Sequence, residues 1–375
     1  MAEQRKTKVV FVGMKYYPAK GGTDRVIESI IKNLNSAYDI SIYCYKGTSD
    51  FSELPRLKVF RIPELPLKEI GVFIYYFLCI LHLLFFVSRK SVVHIHKIDY
   101  AIFIPLIRLK FNTIATSHES PYKRDKWAGL SKFYFKIMEF AFVYSGATLT
   151  TISRPLADYY FNRYKKKIIY IPNGISLEIK LNNEKANEIL KTNDITDKAF
   201  ITFSARRIMS TKGLHTMLEA FRRLGYPGHI LVAGETEHAS NYISLLKKKY
   251  ADLNVIYLGY LELPELLSLI RMSRLFIFPS EIEGMSMMLL EVVSIGTPVI
   301  CSDIPENKQI FNENHVLFFK NKSFYDLKEK LEYAFKNTNK MERLARNALN
   351  HTVVNYSWDK ISASYAKLYG KMTLK

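Results

Sequence analysis

The stretch that decides the reading is FPSEIEGMSMMLLE, Phe278–Glu291, followed at once by VVSIGTPVI, Val292–Ile300. It opens on the end of a short apolar run, Leu275–Phe278, whose pattern predicts a strand. Pro279 stops that strand, Gly284 marks a turn, and Ser286–Ser294 has the composition of a helix. Glu283 then lies in a strand-to-helix loop, and Glu291 lies a little over one turn inside the helix. Amides at a helix start lack helical acceptors, and the helix dipole adds positive potential there. Gly284, Met285 and Ser286 therefore read as an anion site suited to a diphosphate. Glu283 at its mouth can accept hydrogen bonds from sugar hydroxyls. Glu291, deeper on the same wall, can accept them from ribose hydroxyls. Two glutamates separated by seven residues are a weak signal alone; the turn between them and Ile295–Val299 after them make it specific.

Working outward, the same strand–loop–helix unit recurs. Strands are expected at 8–13, 40–45, 58–62, 92–95, 112–116, 147–152 and 167–171. A second series is expected at 199–204, 229–233, 254–258, 275–278 and 298–301. Asp24–Leu34 has helical spacing, with Val26, Ile27, Ile30, Ile31 and Leu34 on one face, and Gly213–Leu224 repeats the pattern. This alternation implies an α/β fold with mostly parallel sheets covered on both faces. Pro172-Asn173-Gly174 is turn chemistry, and Ser176–Lys198 is polar and rich in Asn and Lys. The expected organisation is a first domain over 1–175, a linker over 176–198 and a second domain over 199–355. Ligands of open α/β sheets bind beyond the carboxyl ends of the strands. The Gly-rich strand ends of both halves are thus expected to face a shared cleft.

A chain of 375 residues with 48 % hydrophobic and 24 % charged content suits two globular domains and excludes disorder. The net charge is +19, and residues 1–175 hold 27 Lys and Arg against 13 Asp and Glu. That skew points to an anionic partner: phosphates, an anionic membrane face or nucleic acid. Cys44, Cys79 and Cys301 are far apart without CxxC spacing, which argues against a disulfide framework or a structural zinc site. A reducing compartment fits, and Met1–Lys8 does not read as a secretory signal. Ile70–Val87 reaches the lower limit of a membrane span, yet a strand resumes at Val92. A buried or membrane-resting helix is the expectation there, with a true span the alternative.

The run Phe278–Ile300 resembles the donor-binding signature of the retaining glycosyltransferases of family 4, which have the GT-B fold of two Rossmann-like doubly wound domains facing a central cleft. The resemblance extends to Phe203–Gly213, Gly259-Tyr260, Pro172–Gly174, Pro18–Gly22, Val92–His96 and Tyr356-Ser357-Trp358. It implies that a last helix, about 356–375, returns to the first domain. It implies a nucleotide-sugar donor whose diphosphate is held by Lys212 and by Arg207 or Arg206, the register at that pair being open by one. Such cations would stabilise charge developing on the leaving group. Gly21 and Gly22 match the double glycine of the first loop, where a backbone can approach a phosphate and adopt positive φ. This pair is not a GxGxxG fingerprint, which disfavours a nicotinamide enzyme. His118, followed by Glu119, matches a histidine near the reacting sugar. Together with Glu283 it is the expected catalytic pair.

His94 and His96 alternate on a strand and share a face, so a metal pair is conceivable. No partner with ligand spacing is apparent, and the family needs no divalent ion, so neither metal nor other cofactor is expected. The implied mechanism is transfer with retention through a front-face displacement, the donor phosphate taking the acceptor's proton, with no assigned nucleophile. The acceptor is expected on the basic first domain. There the loop carrying Lys123, Arg124, Lys126 and Trp127, and the aromatic Ser131–Tyr144 stretch, suit an acceptor or a membrane interface. These features point to a cytoplasmic enzyme peripheral on the inner membrane face, extending a lipid-linked glycan in polysaccharide synthesis. A nucleotide-sugar epimerase or a phosphorylase of the same fold are the enzymatic alternatives. A basic nucleic-acid-binding protein is the non-enzymatic one, although no zinc finger or recognition-helix pattern appears.

Overall fold

A computed structural model describes residues 6–46, 54, 56–119, 129–195, 200–237 and 240–373. The chain forms two compact units, Met1–Gly174 with Trp358–Lys375, and Ile175–Ser357.

The first unit carries β1 (Thr7–Val12), α1 (Gly22–Asn33), β2 (Tyr38–Tyr45), β3 (Leu57–Ile62), α2 (Lys68–Phe86), β4 (Val92–His96), α3 (Ile104–Arg108), β5 (Asn112–Ser117), α4 (Leu130–Tyr144), β6 (Thr148–Thr151), α5 (Arg154–Tyr164) and β7 (Ile169–Tyr170). Its strands form one parallel sheet in the order β3-β2-β1-β4-β5-β6-β7. Every residue of β4 is buried, as a central strand covered on both faces requires. The core on one face joins Val10, Val12, Val93 and Ile95 to Tyr76 and Leu83 of α2, Ile104 and Ile107 of α3, and Phe142 of α4. The chain order reverses between β1 and β4, so the loops after those two strands diverge there and open a crevice. A Cβ on Gly13, at φ +125°, would collide with the His96 carbonyl oxygen, so glycine lets the two strand ends meet.

The second unit carries α6 (Asn183–Thr192), β8 (Ile201–Arg207), α7 (Leu214–Leu224), β9 (Ile230–Glu235), α8 (Ser240–Lys249), β10 (Val255–Gly259), α9 (Leu263–Met272), β11 (Leu275–Phe278), α10 (Met287–Ser294), β12 (Val299–Ser302), α11 (Pro305–Lys308), β13 (Leu317–Phe319), α12 (Phe324–Lys336) and α13 (Thr338–Tyr356). Its parallel sheet runs β10-β9-β8-β11-β12-β13, so the order reverses between β8 and β11. The last helix, α14 (Trp358–Thr373), belongs to the first unit and packs on α1, β1 and β4. The chain passes between the units twice, at 174/175 and 357/358; within the second unit the Ile175 amide donates to the Tyr356 carbonyl at 2.7 Å.

One expectation needs correction. The stretch 176–198, read as a linker that could hold a short helix, belongs to the second unit: its helix α6 buries Ala186 and Leu190 with Leu231 and Leu269. Its polar composition reflects one solvated face. The helix at 70–87, expected as buried or membrane-resting, has one buried and one exposed side. Tyr75, Tyr76, Cys79, Ile80 and Leu83 face the core, while Phe73, Phe77, Phe85 and Phe86 are exposed. Among the described residues no helix is long and apolar enough to cross a membrane.

Candidate functional site

In the second unit the residues singled out by sequence gather at the reversal point between β8 and β11. The loop after β8 carries Lys212 and the loop after β11 carries Glu283, and Lys212 Nζ donates to Glu283 Oε1 at 2.6 Å. Both side chains are partly buried, at 23 % and 13 % exposure, so the pair is poorly screened by solvent. The two loops are laced together. The Glu281 amide donates to the Thr211 carbonyl at 2.9 Å, and a Cβ on Gly213, at φ +71°, would collide with the Pro279 carbonyl. Ser302 Oγ in turn donates to the Ser280 carbonyl at 2.5 Å. The Lys212–Glu283 geometry is thereby set by backbone, not by the two flexible side chains alone.

Helix α10 starts one residue later than its pattern predicts. Ser286 is its N-cap, its hydroxyl accepting the Leu289 amide at 3.2 Å. Its hydroxyl is thus spent on the cap, while its backbone amide stays at the helix start where the sequence placed it. The amides of Met287 and Met288, in the first turn, have no helical acceptor and extend the anion-facing end beyond Gly284 and Met285. Glu291 lies in the second turn of α10 and is buried.

Arg206 and Arg207 end β8, where the pairing with β9 shifts register. Both are exposed and both approach the same carboxylate: Arg206 Nε lies 3.7 Å from Glu235 Oε1 and Arg207 Nε 3.5 Å from Oε2. The structure does not separate their roles. Glu281 was passed over in sequence; it pairs with Lys322 at 3.0 Å and His215 at 3.5 Å and braces the loop.

In the first unit the named residues gather at the ends of β1, β4 and β5. Gly21 is the N-cap of α1 in an extended conformation, φ −125°, and Gly22 is its first residue. Neither has positive φ, which corrects that expectation; the helix start imposes ordinary angles. A Cβ on Gly22 would meet nothing within 4 Å, so what glycine leaves there is open space for close approach. The loop before it is held by two carboxylates one helical turn apart: Asp24 accepts the Lys15 amide at 3.2 Å and Glu28 the Ala19 amide at 2.7 Å.

His118 follows β5. Its Nε2 lies 3.0 Å from His96 Nδ1; His96 Nε2 lies 3.3 Å from His94 Nδ1; and His94 also reaches Tyr369 Oη at 2.8 Å and Thr116 Oγ1 at 2.7 Å. Burial, then the Lys97 cation, push the His118 pKa down to about 3, and burial holds His94 and His96 well below the usual histidine range. All three rings are neutral at physiological pH. The metal-pair option for His94 and His96 finds no support, since their ring nitrogens face one another and hydroxyls. Among the described residues no group of three or more His, Cys, Asp or Glu is arranged to hold a metal.

Sequence reading missed Lys15, Asp24 and Lys97. Burial lowers the Lys15 pKa to about 8, with Lys97 adding to the shift, and burial raises that of Asp24. Lys97 holds φ +105°, a backbone strain rare for a side-chain-bearing residue, at the carboxyl end of β4. The available signal was the spacing of Asp24 and Glu28 on a helix whose neighbours are apolar. Lys123, Arg124, Lys126 and Trp127 lie outside the described residues.

Comparison with known proteins agrees with this geometry. The family model "Glycosyltransferase Family 4" matches residues 20–179, and "Glycosyl transferases group 1" matches residues 185–351. The O-antigen biosynthesis glycosyltransferase WclY of Escherichia coli is 28 % identical over 229 residues, 60 % of this chain and 61 % of that protein. The chain thus spans about six tenths of the length of the curated relatives it matches. Sucrose-phosphate synthase from Thermosynechococcus elongatus superposes with TM-score 0.82 at 17 % identity, covering 98 % of this chain and 99 % of that one. HepE of Anabaena, in complex with UDP-glucose, does so with TM-score 0.77 at 13 % identity, covering 97 % and 99 %. With both halves matched and the two parallel sheets in place, the chain belongs to the group 1, family 4 glycosyltransferases and has the GT-B fold.

Proposed function

We propose that this protein transfers a sugar from a nucleoside-diphosphate sugar to a glycan or lipid-linked glycan in cell-surface polysaccharide synthesis, retaining the anomeric configuration and using no metal. The observation that carries the reading is the Lys212–Glu283 pair, 2.6 Å long, at the reversal point of the second sheet and beside the start of α10. A diphosphate placed there meets a cation and a helix start, and both stabilise the negative charge that grows as the glycosidic bond breaks. Arg206 and Arg207 supply further positive charge. Glu283 accepts from the donor's sugar hydroxyls and Glu291 from its ribose. The donor class is supported by the similarity to HepE, described with UDP-glucose, and the pathway by the similarity to an O-antigen enzyme. His118, neutral and half-buried, can hydrogen-bond a sugar hydroxyl but holds no proton to give as an imidazolium.

An acceptor embedded in a membrane fits the outer layer of the first unit, where α2, α3 and α4 expose aromatic and aliphatic side chains together with Arg89, Lys90, Arg108, Lys132 and Lys136.

A thermal-shift screen against UDP, GDP, dTDP, ADP and their sugars tests the donor site. A ligand at a hundred times its Kd stabilises the fold by about 2.7 kcal/mol. Lys212→Ala is expected to abolish the shift with the diphosphate. Glu283→Gln should keep or strengthen it, since the carboxylate no longer competes for Lys212, while losing the added shift from the sugar. Equal responses from wild type and Lys212→Ala would refute the assignment.

A further inference from the structure

His94, His96 and His118 come from two neighbouring strands and the loop beyond, and Tyr369 from the last helix, 275 residues from His94 in sequence. Their polar atoms form one continuous line. We propose that His96 is a positioning residue: a buried relay, Tyr369–His94–His96–His118, holds the His118 proton on Nε2 and leaves Nδ1 bare as a hydrogen-bond acceptor for a sugar hydroxyl. The proposal deepens the glycosyltransferase reading and rests on it for the identity of that hydroxyl.

A neutral imidazole has one N–H and one bare nitrogen. Two facing nitrogens at 3.0 Å must share a single proton between them, and so must the pair at 3.3 Å. The two nitrogen pairs therefore have two consistent settings, with both shared protons pointing toward His94 or both toward His118. Tyr369 decides between them. Its ring is fully buried, burial keeps its hydroxyl protonated, and His94 Nδ1 is the one hydrogen-bond acceptor that the hydroxyl meets among the described residues.

If Tyr369 donates to His94 Nδ1, His94 carries its proton on Nε2 and donates to Thr116 Oγ1 at 2.7 Å. Thr116 can pass its own proton to Thr150 Oγ1 at 2.5 Å. Two bare nitrogens 3.3 Å apart would repel, so His96 Nε2 carries the proton facing His94 and shares the single His94 Nδ1 lone pair with the Tyr369 hydroxyl, and His96 Nδ1 is bare. His118 Nε2 is consequently the donor to His96, and His118 Nδ1 is bare. In the opposite setting the Tyr369 proton has no acceptor, and a buried hydroxyl without one costs about 1–3 kcal/mol. A penalty of that size selects the first setting by roughly fivefold to a hundredfold. Among the described residues His118 Nδ1 has no protein hydrogen-bond partner, so it remains available to a ligand.

The relay also explains why three histidines are tolerated in a buried place. Tyr369 and His96 donate to His94 Nδ1, His118 donates to His96 and His94 to Thr116, so only His118 Nδ1 needs a partner from outside. The phenyl ring of Phe11 packs 5.4 Å from His94 and 5.9 Å from His96 by ring centroids, so both imidazoles are braced by the same side chain.

The test is a tautomer measurement on the full chain with 15N-labelled histidine, using long-range proton–nitrogen correlations. Wild type is expected to show His118 protonated on Nε2 alone. A proton on Nδ1, or an even mixture, would overturn the proposal. Tyr369→Phe removes only the deciding hydroxyl and should bring both His118 tautomers into view; an unchanged single tautomer removes Tyr369 from the relay. Kinetics supply the second arm. In His96→Asn the amide oxygen sits where Nδ1 sat and can accept from His118, whereas His96→Leu cannot. We expect kcat to fall about a hundredfold in the Leu variant and only a few-fold in the Asn variant, with KM for the nucleotide-sugar unchanged in both. Equal losses in the two variants would refute positioning. The tautomer arm needs no substrate, so failure to find any sugar transfer would count against the proposed function and leave the relay judged on its own spectrum.

Discussion

Gly22 is a residue whose worth lies in what is not attached to it. It opens α1 with ordinary backbone angles, and a Cβ there would meet nothing within 4 Å. Gly22→Ala should therefore leave the fold intact or raise its stability by about 0.4–1 kcal/mol, because alanine restricts the unfolded chain and favours the helix. If a phosphate or sugar packs against this helix start, the same methyl group must obstruct it. The expected outcome is an unchanged or raised Tm with at least a tenfold loss in kcat/KM. A variant as active as wild type would free Gly22 from the site. Gly13 and Gly213 make the contrast. Each has positive φ and a carbonyl where its Cβ would be, so alanine at either should damage the fold first.

At the scale of elements, the outer layer of the first unit stands apart. Helices α2, α3 and α4 cover one sheet face, and their outward sides expose Phe85 at 75 %, Phe86 at 77 % and Leu109 at 85 %, with Phe133 and Phe140 besides. Large apolar side chains exposed together in one layer are what the proposed membrane contact would cover. Among the described residues of these three helices, the acid with a described side chain is Glu139, and it is buried, with Tyr159 and Tyr164 donating to it at 2.9 Å and 2.7 Å. Arg89, Lys90, Arg108, Lys132 and Lys136 are exposed on and beside the layer, which suits anionic headgroups. Two terms then compete in size. Each cation near an anionic surface adds about 1 kcal/mol, so Lys132→Ala with Lys136→Ala should weaken binding to anionic vesicles roughly thirtyfold. Each fully buried Phe adds about 1.5–3 kcal/mol, so Phe85→Ser with Phe86→Ser should weaken it more than a hundredfold. Flotation with phosphatidylserine vesicles measures both, and absence of binding by wild type at low salt would sink the membrane reading.

The whole molecule should show the buried histidines in its response to acid. His94, His96 and His118 have folded pKa values below the ordinary 6.5, chiefly through burial. Below that pH the unfolded chain takes up protons that the folded chain refuses, so stability rises with pH through this region and falls on acidification. Each proton is worth about 1.4 kcal/mol per pH unit once well below 6.5, so three give a slope approaching 4 kcal/mol per unit. Urea unfolding followed from pH 7.5 to pH 5 should show a midpoint that drops steadily. A flat profile would mean the three rings titrate normally and are not buried as described. At this same scale the limits of reading a sequence become plain. The alternation of strands and helices, the turn into the helix ahead of Glu291 and the kinship of the chain were all legible, because each is carried by residues within a few positions of one another. Local periodicity reports which face of an element is apolar; it is silent on which strands become neighbours. For that reason His94 and His96 suggested at most a metal pair, Ser176–Lys198 passed for a linker, and Ile70–Val87 left a buried and a membrane-resting helix both open. Only the strand order, set by long-range packing, brings Lys212 to Glu283 across 71 positions and Tyr369 to His94 across 275.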